Sequence, residues 1–371
     1  MKILYIEPFY DGSHKQWIDS YKKYSSHEID ILSMPGKKWK WRMHGGAITL
    51  ANQFNKSNKI YDLILCSDFL NLPVFKSLCQ DKMKKIPTVM YYHENQASYP
   101  WSPNDEDVKL NRDFHYYFIN QTSSLASDWN LFNSNYHLES YLLGLKKYLN
   151  KMPDNKNIDT IKIIKNKSSV LYLGCELEKF SRIKKNKKQN NDKPIILWNH
   201  RWEFDKNPDL FFKILIKLKE DGFKYSLIIL GESFENSPNI FNDAKKVLKE
   251  EIIHFGFCES AIEYKKYLWK ADIIPVTSIQ DFFGISIMEA VYCDTFPILP
   301  NRLAYKELFN QNKNPDLFYN TDTQLYNKLK NAIQGYKHLP SYSNITRNYD
   351  WSEMGEIYDK KLSDLTLKFS Y

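Results

Sequence analysis

No stretch of the 371-residue sequence approaches the roughly 20 apolar residues that a membrane-spanning helix needs, so no transmembrane segment is expected. Cysteine is scarce. Cys66, Cys79, Cys175, Cys258 and Cys293 are scattered, odd in number and form no CxxC pair. That argues against a disulfide framework or a cysteine-based zinc site and fits a reducing cytoplasm, the compartment expected here. The opening run Met1–Glu7 stops at an acid and a proline and has no small-residue cleavage site, so it does not read as a signal peptide. No repeat at solenoid period is visible.

What is present points to a globular enzyme-sized chain. Hydrophobic residues make up 43% and charged residues 26%, a composition that buries a core instead of staying disordered. The length suits two domains of ordinary size. The formal net charge is +8. A basic surface suits a polyanion, but a general richness in Lys and Asn gives the same sum, and charge alone leaves both readings open.

Short apolar runs at strand length alternate with helical patterns. Lys2–Ile6, Ile29–Leu32, Leu63–Cys66, Thr88–Tyr92, Asn130–Asn133 and Ser169–Leu173 read as strands, with a helix around Lys15–Tyr24. After the polar stretch 181–193, which reads as a linker, the alternation resumes. Strands are expected at Ile195–Trp198, Ser226–Leu230, Ile252–Phe255, Ile273–Val276 and Phe296–Leu299, and helices at Pro208–Asp221, Asn239–Glu250, Tyr264–Lys270 and Ser286–Tyr292. The expectation is α/β: two Rossmann-like domains, 1–180 and 194–350, with parallel sheets facing across a cleft. A final helix from Trp351 within 351–371 would cross back to the first domain.

Ligands of such sheets bind beyond the carboxyl ends of strands, and the informative residues follow strands. Pro8–Lys15 carries Gly12, Ser13 and His14 after the first strand. Its glycine suits close backbone approach to an anion, and a plain structural turn fits equally. His93, Glu94, Asn95 and Gln96 close the Thr88–Tyr92 strand, where four polar residues are hard to explain as core. His200–Pro208 opens the second unit. Arg201 and Lys206 beside a helix start suit a diphosphate. In Asp281–Ala290, Phe283, Gly284 and Ile285 offer backbone amides at a helix N-terminus. Asp281 and Glu289 can accept hydrogen bonds from sugar hydroxyls. In Lys37, Lys38, Trp39, Lys40, Trp41 and Arg42, indoles alternate with cations, as stacking on an exposed base with phosphate contacts requires. Arg112 and His115 add polar groups on a predicted helix. Packing with solvated charge is the plain alternative for both stretches. Asp105-Glu106-Asp107 matches a DxD metal pattern but sits in a polar loop, so no metal site is expected.

Arg201 and Lys206 followed by Asp281 and Glu289 resemble the retaining family 4 glycosyltransferases of GT-B fold, with Asp281 where that family usually has Glu. The closer resemblance is to the tRNA-queuosine α-mannosyltransferases and their bacterial relatives. It rests on Glu7–Lys15, Lys37–Arg42, His93–Gln96, Phe132–Ser134, His200–Glu203 with Asp205 and Lys206, Leu230-Gly231-Glu232, and Phe282–Tyr292. The resemblance implies a retaining transferase that moves a hexose from GDP-mannose to queuosine in a tRNA anticodon, without a metal or other cofactor. Arg201, Lys206, Gly231, Glu232, Glu289 and the Gly284 amides would hold the donor, with Gly12, Ser13 and His14. His93 and Asp281 would face the reacting sugar. Lys37–Arg42, Asn95, Gln96, Arg112 and His115 would serve the acceptor. A glycan or lipid acceptor, or a tRNA-binding relative without catalysis, are the other readings.

Overall fold

The computed structural model describes residues 1–102, 105–110, 114–181, 192–232 and 237–369. Arg112 and most of the expected linker lie outside these residues. Contacts divide the chain into two units, Met1–Gly174 with Trp351–Tyr371, and Cys175–Asp350.

The first unit is built on a six-stranded sheet: β1 (Lys2–Tyr10), β2 (Glu28–Pro35), β3 (Leu63–Ser67), β4 (Thr88–Tyr92), β5 (Trp129–Phe132) and β6 (Ser168–Val170), in the order β2-β1-β3-β4-β5-β6. All pairings are parallel. Helices cover both faces, which is why β3 and β4 are buried throughout. Leu4, Ile6, Cys66, Met90 and Phe132 pack against Leu50 and Phe54 of the helix Trp39–Lys56 and against Tyr141. β1 runs past the expected end at Ile6, because Tyr10 still pairs with Pro35 after an irregularity beyond Glu7. The turn therefore begins at Asp11, and the helix Gly12–Tyr24 starts earlier than expected.

The last helix, Trp351–Phe369, belongs to this unit. Trp351 stacks on Tyr21. Tyr358 Oη donates to Tyr91 Oη at 2.7 Å. Asp359 accepts from Tyr21 Oη at 2.9 Å and from the Ser26 amide at 2.7 Å. These buried bonds tie the far end of the chain to the first helix and to β4.

The second unit has a parallel sheet of β7 (Ile195–Trp198), β8 (Ser226–Leu230), β9 (Ile252–Gly256), β10 (Ile273–Pro275), β11 (Phe296–Pro300) and β12 (Phe318–Tyr319), ordered β12-β11-β10-β7-β8-β9. Counting β7 as the first strand, this is the order of dinucleotide-binding sheets, with the switch point between β7 and β10. Trp198, Phe211, Phe212 and Leu227 centre its core. The unit begins at Cys175, ahead of the expected boundary at 180. Asp350 accepts from the Leu177 and Glu178 amides at 2.7 and 2.9 Å, and Trp269 donates to the Phe180 carbonyl at 3.0 Å. β12 and the helix Asp322–Gln334 were not anticipated from the sequence. Among the described residues no helix is long and apolar enough to cross a membrane.

Candidate functional site

In the first unit the carboxyl ends of β1, β3 and β4 gather a buried polar cluster. Glu7, fully buried, accepts from Tyr5 Oη (2.7 Å), Ser67 Oγ (2.8 Å) and the Phe9 amide (2.9 Å), and its Oε2 lies 3.0 Å from His14 Nδ1. Burial alone would lower the His14 pKa. The Glu7 carboxylate, with Asp68 and Glu94, outweighs that and raises it to about 9, so this histidine is an imidazolium at neutral pH. Gly12 and Ser13 open the next helix, capped by Asp11, and stay exposed. Gly12 adopts a φ of +50°, a left-handed geometry that favours glycine.

His93 lies against this pair. Its ring centroid is 4.3 Å from that of His14 and 4.7 Å from that of Trp17. Its amide donates to Asp68 Oδ1 at 3.0 Å, and its carbonyl accepts from Asn133 Nδ2 at 2.9 Å. Burial, with His14 and His137 nearby, holds the His93 ring well below the usual histidine range, and Nε2 has no partner among the described residues. Asn95 and Gln96 are buried. Asn95 Oδ1 accepts from the Ser98 amide and hydroxyl, and the Gln96 side chain donates to Glu94, so both organise the loop itself.

The Lys37–Arg42 run straddles the start of the helix Trp39–Lys56, with Lys38 at a φ of +54° as its cap. Trp39 packs with Tyr116, Phe69 and Trp101. Lys40 Nζ lies 2.7 Å from Asp105 Oδ1 and 2.5 Å from Asp107 Oδ2, so this ammonium already neutralises the acids of the DxD pattern. Those acids stand at the start of a helical turn, Glu106–Lys109, where a polar loop was expected. Lys37 and Lys38 face solvent, and Trp41 is 65% exposed. The Trp41 ring lies over Gly45, where an added Cβ would come within 2.8 Å of the indole. Arg42 Nε donates to the Pro35 carbonyl, and His115 neighbours His44. Arg112 lies outside the described residues.

In the second unit the switch point collects the donor candidates. Lys206 is buried, with Nζ 3.0 Å from Asp205 Oδ2 and 3.0 Å from Asp281 Oδ1. Burial would lower its pKa, but Asp281 and Asp205 raise it, so it stays cationic. Asp281 also accepts from Tyr305 Oη at 2.5 Å. Arg201 is half exposed and pairs with Glu203 at 3.1 Å. Glu289 accepts from Tyr264 Oη at 2.7 Å and lies 3.3 Å from Lys179 Nζ, leaving further lone pairs on both oxygens. Gly284, at a φ of +88°, precedes the helix Ile285–Tyr292, and an added Cβ would meet the Tyr305 ring at 2.9 Å. Backbone amides at such a helix start attract anions. At Gly231 a Cβ would come within 2.0 Å of the His200 carbonyl, and the neighbouring Glu232 is exposed.

Several residues here escaped the sequence reading. Glu7 was legible as an acid in an apolar strand. Asp68, Tyr264 and Tyr305 carried no local signal, since tertiary packing alone brings them in. His200 stood inside a recognised run. It is buried, with Nδ1 3.2 Å from Ser286 Oγ, and burial pulls its pKa down to about 4. Among the described residues no group of three or more His, Cys, Asp or Glu side chains could hold a metal ion.

Comparison with known proteins follows the two units. Residues 2–175 match the family model described as tRNA-queuosine alpha-mannosyltransferase N-terminal, and residues 179–349 match glycosyl transferases group 1. A Drosophila melanogaster protein named tRNA-queuosine alpha-mannosyltransferase is 35% identical over 336 residues, covering 89% of this chain and 86% of that protein. Among solved structures, sucrose-phosphate synthase from Thermosynechococcus elongatus aligns with a TM-score of 0.73 over 99% of this chain and 100% of its own, at 12% identity. A glycosyltransferase from Rickettsia africae aligns with a TM-score of 0.65 over 98% of both chains, at 18% identity. Such identities show the fold alone, and that fold is GT-B.

Proposed function

The chain belongs to the tRNA-queuosine alpha-mannosyltransferase family and is a glycosyltransferase, and from that premise we propose that it moves a hexose to the cyclopentenediol of queuosine in a tRNA anticodon. GDP-mannose is the donor in this reading. The observation that carries it is the match of the entire sheet of the first unit, not only the generic second unit, to a queuosine-specific family model.

The chemistry divides between the units. The bond from the sugar anomeric carbon to the diphosphate breaks, and negative charge grows on the leaving oxygen. Arg201 and the amides after Gly284 meet that charge. Lys206 is already shared by two carboxylates, so its part is to hold Asp281 ionised toward the sugar hydroxyls. Glu289 accepts from the ribose. The acceptor hydroxyl attacks on the same face as the leaving group departs and hands its proton to the diphosphate, so the configuration is retained without an enzyme nucleophile. His93 faces the sugar from the first unit, and no metal takes part. Lys37, Lys38 and Trp41 take the tRNA. The cytoplasm, where tRNA and sugar nucleotides meet, is the proposed location.

The test is transfer from labelled GDP-mannose into bulk tRNA. Ribonuclease-sensitive label that is absent with queuosine-free tRNA is the expected result. Label in ribonuclease-resistant glycan or lipid would move the acceptor class, and tRNA binding without any transfer would remove catalysis.

A further inference from the structure

We propose that Glu7 and His14 are positioning residues for His93: their buried ion pair fixes the plane of the His93 ring and keeps a second positive charge off it. This rests on the reading above that His93 faces the reacting sugar.

A carboxylate in the middle of an apolar strand is expensive unless paired. Glu7 is nonetheless fully buried in β1, satisfied by Tyr5, Ser67, the Phe9 amide and His14. The pair it makes with His14 is almost wholly buried. What it touches is His93: the two imidazoles contact at 4.3 Å with their planes tilted by 42°. Phe69, at 5.0 Å, supports His14 from another side. Trp17 and Tyr91 present edges to His93 at 4.7 and 4.9 Å, so the ring is walled in.

The backbone is held as firmly. Asp68 takes the His93 amide, and Asn133, itself 2.8 Å from His137 Nδ1, donates to the His93 carbonyl. With backbone and ring fixed, Nε2 is a buried nitrogen without a hydrogen-bond partner among the described residues. The titratable groups around His93 are Glu7 from β1, His14 from the first helix, Asp68 after β3, Tyr91 and Glu94 on its own segment, and His137 from the helix Asn135–Asn150. The neighbouring ring is the cationic one. Burial first, and then repulsion from that imidazolium, keep His93 neutral. A neutral imidazole suits glycosyl transfer, because the sugar gains positive charge as its bond to the leaving group breaks.

The double variant Glu7→Gln/His14→Phe tests this. It keeps a ring against His93 and removes both charges, so no carboxylate is left unpaired. In the parent, kcat/KM for the sugar nucleotide should be flat between pH 7.5 and 5.5. In the double variant the acid limb should move to higher pH by the part that the His14 charge adds to burial in holding the His93 ring neutral. The nitrogen resonances of ¹⁵N-labelled His93 should titrate at higher pH, and adding His93→Gln should abolish the acid limb. A flat profile with an unmoved His93 midpoint overturns the proposal. If the double variant does not fold, His14→Gln is read in the same way. A His93→Gln enzyme as active as the parent would sink the assignment of His93 instead. The nitrogen titration needs no turnover, so it still judges the ion pair.

Discussion

Lys206 Nζ lies 3.0 Å from Asp281 Oδ1 and 3.0 Å from Asp205 Oδ2, so one buried ammonium balances two carboxylates at the switch point of the second sheet. Its removal therefore affects more than the donor. Breaking a buried pair by deleting one partner costs about 3–5 kcal/mol, because an uncompensated charge stays behind. Lys206→Ala should lower the melting temperature by roughly 10 °C as well as abolish transfer. Arg201 is half exposed and pairs with Glu203. Arg201→Ala should melt like the parent and transfer about 10²–10³ times more slowly, as loss of a group that stabilises leaving-group charge does. Calorimetry and single-turnover rates separate the two. Parent-like transfer by Arg201→Ala removes it from the donor site, and parent-like melting of Lys206→Ala contradicts the ion triad.

The Glu7–His14 pair also makes stability depend on alkaline pH. The folded His14 pKa is raised to about 9 by Glu7 against the opposing effect of burial. An unfolded histidine titrates near 6.5. The stabilisation is fully present below about 6.5 and is lost as pH rises through about 9. Between pH 6 and 10 the parent should lose on the order of 3 kcal/mol of unfolding free energy relative to Glu7→Gln/His14→Phe. Denaturant titrations at the two pH values measure this. Parallel losses in both proteins would show that the pair carries no linked proton.

Transfer should survive chelation. The DxD acids at 105 and 107 hold the Lys40 ammonium at 2.7 and 2.5 Å, where a cation bound to that pattern would otherwise sit. In the proposed mechanism Arg201 and helix amides meet the leaving charge instead. Activity should be unchanged in excess EDTA. Loss of activity restored by manganese or magnesium would return Asp105 and Asp107 to the list of candidates.

The sheets were largely legible in the sequence. Strands buried on both faces read as continuous apolar runs, and β7 and β8 emerge with the ends expected for them. β12 was missed because two residues, Phe318 and Tyr319, are too few to give any period. The end of β1 was misjudged because the apolar run stops at Glu7 and Pro8, whereas pairing with β2 resumes at Tyr10. In the site, residue types were legible and partners were not. Nothing local says that Lys206 meets Asp281, 75 residues away, or that His14 turns inward to Glu7 while Gly12 and Ser13 stay outside. Nor does the alternation in Lys37–Arg42 show which indole packs and which faces water. On a helix, neighbours in sequence point in different directions.

That last distinction sharpens the tRNA prediction. Trp39 is partly buried against a small core with Phe69 and Tyr116, so Trp39→Ala should destabilise the first unit, though by less than the about 3–5 kcal/mol of a fully buried aromatic truncation. Trp41 has no such role. It is 65% exposed and lies on Gly45, a helix-interior glycine whose replacement by alanine would place a Cβ within 2.8 Å of the indole. Glycine there costs the helix about 0.5–1 kcal/mol relative to alanine, yet it leaves room for the indole against the helix. An exposed indole close in sequence to the exposed Lys37 and Lys38 is a platform for an unpaired base, and such stacking is worth about 1–3 kcal/mol per base. Trp41→Ala should therefore weaken tRNA binding by about 5- to 150-fold without lowering the melting temperature. Gly45→Ala should weaken it less, by tilting the ring. Lys37→Ala/Lys38→Ala should reduce the slope of log K against log salt by roughly 1.4 to 1.8, since two phosphate contacts are lost. Filter binding across a salt series gives both quantities, and calorimetry with GDP should show the donor site unaffected in all three. If Trp41→Ala binds tRNA as the parent does, or if the lysine pair leaves the salt slope intact, the anticodon approaches the first unit by another face.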